Sequence, residues 1–190
     1  MHALFFEVRP HPGHLDHYFE HVDRLRPVLA RHTGMMFLDR YSSLNAPDVL
    51  LSHQLWDSEK SIVAWRADAE HRRSQGAGRK VHFADYRIRV GARVLQWKSG
   101  ERVAPVDCRT APDAPHVLAL YGTEPVSAAG YESFESVNRR GNFISLITVL
   151  GSDAADAAFQ THIQAPGLET AAVFRIRRDY GQFDRAQAPH

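Results

Sequence analysis

Three histidines, His14, His17 and His21, stand three and seven residues apart near the start of a 190-residue chain that holds twelve in all. On a helix that spacing puts three imidazoles on one side, as ligands of a metal ion would need. Counted at about 100° per residue, however, the row lies roughly 95° from the centre of the Leu15, Tyr18, Phe19 and Val22 stripe, towards solvent. It reads as a wet helix flank, and no metal is expected there. His53 differs. It sits in the apolar run VLLSHQLW (49–56), where it shares a strand face with Leu51 and Leu55 while Ser52, Gln54 and Trp56 share the other. A histidine between two leucines is expected to be at least partly buried, either as a hydrogen-bonded core group or as a substrate contact. Arg40, Tyr41 and Arg87 could supply cations and a hydroxyl to an anionic substrate; ion pairs at the surface or between sheets are the plainer alternative.

These residues need elements to hold them. Residues 2–8 form a short apolar run stopped by Pro10, Pro12 and Gly13, as expected of a buried strand. From 13 to 31 apolar residues recur at helical spacing, with Pro27 inside the stripe predicting a kink and Gly34 a stop. Residues 35–44 and 49–56 read as a hairpin around Asn45-Ala46-Pro47-Asp48. Asp57 or Ser58 can cap a second helix through Ile62 and Trp65. Residues 81–95 alternate as one long strand with an apolar and a charged face. Strand, helix, strand, strand, helix, strand is the split βαβ order of a ferredoxin-like α+β unit. Its open sheet face needs a cover.

Residues 98–115 (KSGERVAPVDCRTAPDAP) carry three prolines and no periodicity and read as a linker. The following half, 116–190, repeats the order, with strands at 116–122, 131–137, 142–150 and 170–178 and a helix at 152–163, but has a short loop, 123–130, where the first helix should be. The expected architecture is therefore two tandem ferredoxin-like units, 1–97 and 116–190, packed sheet to sheet as an internal pseudo-dimer; two chains could pair further as a homodimer.

Composition excludes several classes. The formal net charge is +1, too small for a nucleic-acid partner that clustered cations would hold. No apolar run approaches the roughly 20 residues of a membrane span, and the N-terminus shows no leader pattern, so a cytoplasmic protein is expected. Cys108 is the single cysteine and cannot form an internal disulfide.

One ordered string goes further. Asp57-Ser58-Glu59-Lys60-Ser61-Ile62-Val63-Ala64-Trp65-Arg66, then Glu70-His71-Arg72, Gln75, Gly78-Arg79 and Phe83-Ala84-Asp85-Tyr86-Arg87-Ile88-Arg89-Val90 resemble the antibiotic biosynthesis monooxygenase family of dimeric α/β-barrel proteins, over residues 2–97. The ending Arg178-Asp179-Tyr180-Gly181-Gln182-Phe183-Asp184-Arg185 resembles the tail that follows the last strand in single-domain members. The resemblance implies a cofactor-independent monooxygenase: a phenolic or quinol-type small aromatic binds between sheet and helices, loses a proton and reacts with dioxygen directly. Trp65 then matches a pocket Trp, and His71 stands where those oxygenases carry a phenolic Tyr. On one unbroken helix six residues turn through about 600°, so the two side chains would point about 120° apart. Asp68 is a good N-cap for a fresh turn that would bring His71 inward as general base. Phe6, Tyr41, His53 and Arg87 are the expected substrate contacts, in a single pocket built from residues 1–97. Haem-degrading relatives use an Asn where this chain has Phe6, which demotes haem binding, through His71, or haem degradation to a minor alternative, and no cofactor is expected. The alternative from another class is a non-catalytic small-molecule-binding or stress-related protein of the same fold.

Overall fold

The computed structural model describes residues 1–98 and 113–189, together with the backbone of 101–103. Cys108 and most of the expected linker lie outside the described residues. The first half runs β1 (His2–Pro10), α1 (Leu15–Leu29), β2 (Met35–Ser43), β3 (Leu50–Trp56), α2 (Glu59–Ala67), α3 (Ala69–Ala77), a π-helical turn (Gly78–His82) and β4 (Phe83–Lys98). A short β5 (Glu101–Val103) pairs with the end of β4. The second half runs β6 (Pro115–Gly122), β7 (Glu132–Ser136), β8 (Phe143–Leu150), α4 (Ser152–His162) and β9 (Leu168–Gly181).

Local sequence accounts for most of these boundaries. Pro27 lies in the last turn of α1, which ends two residues later at Leu29, with Ala30 N still donating to the Arg26 carbonyl at 3.1 Å. Gly34 follows for a steric reason: a Cβ there would collide with Ser61 and Asp57 at the start of α2. Ser58, not Asp57, caps that helix, its Oγ accepting from Ser61 N at 3.2 Å. The strand expected from residue 81 starts at Phe83, the π-helical turn having taken up the residues before it.

The first half contributes four strands in the order β4-β1-β3-β2, and the second β9-β6-β8-β7. All pairings are antiparallel, and β2–β7 and β4–β9 join the two sets into a closed eight-stranded barrel. Closure leaves none of these eight strands with a bare edge along its paired length, which answers the cost of unpaired backbone groups.

Strand alternation then sorts the side chains. Inside the barrel lie Phe5, Tyr41, Leu51, Val117, Phe134, Ile144 and Phe174, each no more than about 2% exposed. Full burial of such side chains contributes about 1.5–3 kcal/mol apiece. On the outside, Val28 and Leu29 of α1 and Ile62 and Trp65 of α2 pack with Trp56 of β3 over the first half, and α4 covers the second with Phe159 on Leu118 and Val173.

Candidate functional site

The helix break is where the site begins. At Asp68 the backbone turns extended (φ −56°, ψ 132°), α2 stops, and the Asp68 carboxylate accepts from Glu70 N at 2.9 Å and His71 N at 3.2 Å. This cap starts α3 on a new axis. The consequence is the one the spacing demanded: the His71 imidazole lies flat on the Trp65 indole, ring centres 3.8 Å apart and planes 13° from parallel. His71 Nδ1–H donates to the Trp65 carbonyl at 2.9 Å. That hydrogen bond fixes the tautomer and leaves the Nε2 lone pair available, with the Gln75 amide nitrogen 3.4 Å away. Burial lowers the His71 pKa from 6.5 to about 4, the Trp65 carbonyl and Asp68 opposing the shift, so the ring is neutral at physiological pH.

Both rings border a cavity between the outer sheet face and the helices. It has two compartments, of about 130 and 150 Å³, that share Phe6, Gln54, Trp65, His71, Gln75 and Phe83 as walls. One is lined further by Ile62, Tyr86, Ile88 and Val90, the other by Tyr18, Leu25, Leu38, Arg40 and Ser52. Arg40 is the notable polar group: its Nε–H is buried with no acceptor among the described residues. An unsatisfied guanidinium donor in a cavity wall is a place for an anion.

Phe6 lines the cavity, together with Trp65 and His71. The other expected contacts fall elsewhere. His53 and Tyr41 sit on the lumen side of the barrel wall: His53 is fully buried, stacked on Phe5 at 4.6 Å, and Tyr41 is 2% exposed. Arg87 also leaves the site, forking onto Asp179 at 2.9 and 2.7 Å. Alternation along β3 and β4 fixes these directions, and the helices cover the other face, carrying Ser52, Gln54, Tyr86 and Ile88. Sequence reasoning split β3 into the correct two rows, and the contact it expected, His53, falls on the row that faces the lumen. The presence of Trp56, a core-sized ring, beside Ser52 and Gln54 was the available signal.

The cavity is also not built from residues 1–97 alone. Tyr180 and Arg178 of β9, with Arg185 and Pro189 beyond it, close one compartment. Arg66 ties this wall to α2, donating to Tyr180 Oη and to the Pro189 carbonyl, both at 2.8 Å, and Arg185 donates to Tyr86 Oη. The histidine row gains a member the sequence did not show: His82, at the end of the π-helical turn, stands with its ring centre 5.1 to 5.4 Å from those of His14, His17 and His21. Among the described residues no group of His, Cys, Asp and Glu is arranged to hold a metal ion, and His21 borders the cavity instead of lying wholly in solvent. Among those residues no helix is long and apolar enough to cross a membrane.

The antibiotic biosynthesis monooxygenase family matches residues 1–77. A jasmonate monooxygenase of Pyricularia oryzae is 32% identical, over 100% of this chain and 97% of its own. Among solved structures, an anthrone oxidase-like protein aligns over 100% of this chain and 96% of its own, with 13% identity and a TM-score of 0.42. A monooxygenase candidate from Lactobacillus acidophilus aligns over 92% of both chains, with 7% identity and a TM-score of 0.46. On the full-length relative and the matching first half, the chain belongs to the antibiotic biosynthesis monooxygenase family.

Proposed function

We propose that the protein is a cofactor-independent monooxygenase that inserts oxygen from dioxygen into a phenolic or quinol-type small aromatic bound in the Trp65–His71 cavity. The observation that carries this reading is the neutral His71 imidazole, its Nδ1–H held by the Trp65 carbonyl and its Nε2 beside the Gln75 amide at 3.4 Å, in the wall of a cavity lined by Phe6, Ile62 and Trp65. Trp65 and Phe6 would sandwich the ring, and His71 Nε2 would accept the hydroxyl proton. The resulting electron-rich anion would give its electrons to oxygen, with water excluded by the tail.

Energetics adds a requirement. Moving a proton from a simple phenol of pKa about 10 to an imidazole of pKa about 4 is uphill by about 8 kcal/mol. His71 alone is too weak a base for that, and the Arg40 guanidinium, whose Nε–H has no partner among the described residues, would stabilise the anion. The same imbalance favours substrates more acidic than simple phenol. In this reading the two halves of the chain act as a tandem pseudo-dimer in which the second supplies the tail that shuts the pocket of the first.

The test is oxygen uptake with a panel of hydroquinones and anthrones, with product mass as a second readout. His71→Ala and Arg40→Gln should each lower the rate by at least about tenfold. Failure of the whole panel to consume oxygen above the protein-free rate would overturn the aromatic reading. The name of the Pyricularia oryzae relative gives a second substrate class, the small organic acid jasmonate. Arg40 would hold its carboxylate as it would a phenolate, and jasmonate in the same assay separates the two.

A further inference from the structure

The barrel has a second cavity that the chemistry above does not use. It opens at the lumen end of the sheet, has a volume of about 350 Å³, and shares no lining residue with the two helix-side compartments. Its walls are aromatic and aliphatic, with Phe37, Leu55, Phe143 and Phe174 around Tyr41 and Tyr121. This volume is in the range of small-molecule pockets and exceeds either helix-side compartment.

The polar groups of the lining are the Tyr41 and Tyr121 hydroxyls together with Arg93, Gln96, Lys98, Arg139, Asn142, Glu169 and Thr170. At the buried end, His53 Nδ1–H donates to the Leu4 carbonyl at 3.3 Å, so the neutral ring accepts at Nε2 from the Tyr121 hydroxyl at 2.7 Å. Burial holds His53 well below its usual pKa, at about 3. This pair is internally satisfied and brings no charge. At the rim, Arg139 is occupied, its guanidinium on Asp39 at 2.7 Å. Arg93 is not: the contact of its guanidinium among the described residues is Met1 Sδ at 3.2 Å, with no carboxylate in reach. A half-buried guanidinium lined by apolar rings and given no counter-charge is costly by itself and leaves its fork for a ligand. Lys98 and Glu169, both exposed, border the same mouth. Arg139 is engaged by Asp39, which leaves Arg93 as the guanidinium of this lining with no carboxylate partner among the described residues.

We infer that the barrel mouth is a second small-molecule site that takes an organic monocarboxylate, its carboxylate forked on Arg93 and its cyclic apolar body between Phe37, Leu55 and Phe174. One guanidinium without a carboxylate partner among the described residues matches one carboxylate, Arg139 being already engaged by Asp39. The aromatic walls give a small hydrophilic acid nothing to bury.

The experiment is calorimetric titration of the full chain with 2-naphthoate and with its neutral counterpart 2-naphthamide. Saturable naphthoate binding is expected, weakened at least tenfold in Arg93→Gln and largely restored in Arg93→Lys, with naphthamide binding the same in all three proteins. Arg40→Gln, which alters the helix-side cavity, should leave naphthoate binding intact. The inference is overturned if naphthoate does not bind at millimolar concentration, if Arg93→Gln binds it as the parent does, or if Arg40→Gln is the variant that loses it.

Discussion

Acidification should separate the buried imidazole of His71 from an ordinary surface histidine. Its pKa falls from 6.5 to about 4 because the ring is packed under Trp65 and against Gln75. A depression of roughly 2.5 pH units corresponds to about 3 kcal/mol between the protonated and neutral forms. The sign follows from proton counting. Between pH 6.5 and 4 the unfolded chain binds a proton that the folded chain refuses, so stability is full above about pH 6.5 and is lost as pH falls through that window. His53, lowered to about 3 by burial, adds a loss of the same sign extending further into acid. For catalysis, His71 stays an acceptor down to about pH 4. The rate should therefore hold level from pH 7.5 to about 5 and fall on an acid limb near 4. Oxygen uptake, read as kcat/KM from pH 3.5 to 8, measures the limb, and urea unfolding at pH 7 and 4.5 measures the stability. An acid limb near 6.5 with unchanged unfolding free energy would refute the buried, tautomer-fixed imidazole.

Two further predictions concern how the site is held. Asp68→Ala should cost about 1 kcal/mol, because the first turn of α3 loses the acceptor for Glu70 and His71 N–H; it should also lower activity more than stability as His71 leaves Trp65, while Asp68→Asn, still a good cap, keeps both, as thermal melts and oxygen uptake would show. Arg89, 2% exposed, is paired with Glu7 and donates to Thr148 Oγ1 at 2.7 Å. Arg89→Met should destabilise by about 3–5 kcal/mol, because Glu7 is left without its counter-charge, whereas the double variant Arg89→Met with Glu7→Leu should recover most of it; urea unfolding of the three proteins tests this.

Much of this molecule is legible in the chain. Prolines, glycines and caps bound the elements, and alternation and helical spacing name them, because these are local properties of a few neighbouring residues. The meeting of Trp65 and His71 is of the same kind: six residues cannot share a helix face, Asp68 can restart the helix, and the stacked rings follow. What the chain alone did not decide is which of two equivalent faces becomes the pocket. His53 and Gln54 are neighbours on β3, and alternation sends one to the lumen and the other to the helices without saying which. Both faces of a barrel strand are buried here, so the usual polar-outside signal is missing. The same holds for Tyr180, Arg185 and Pro189, which reach the cavity only because β9 pairs with β4, and for Arg93, whose surroundings among the described residues are set by the closed barrel. Sequence sets what each segment can form; closure of the barrel through β2–β7 and β4–β9 decides which side chains share a space, because those contacts join residues about 70 to 95 positions apart.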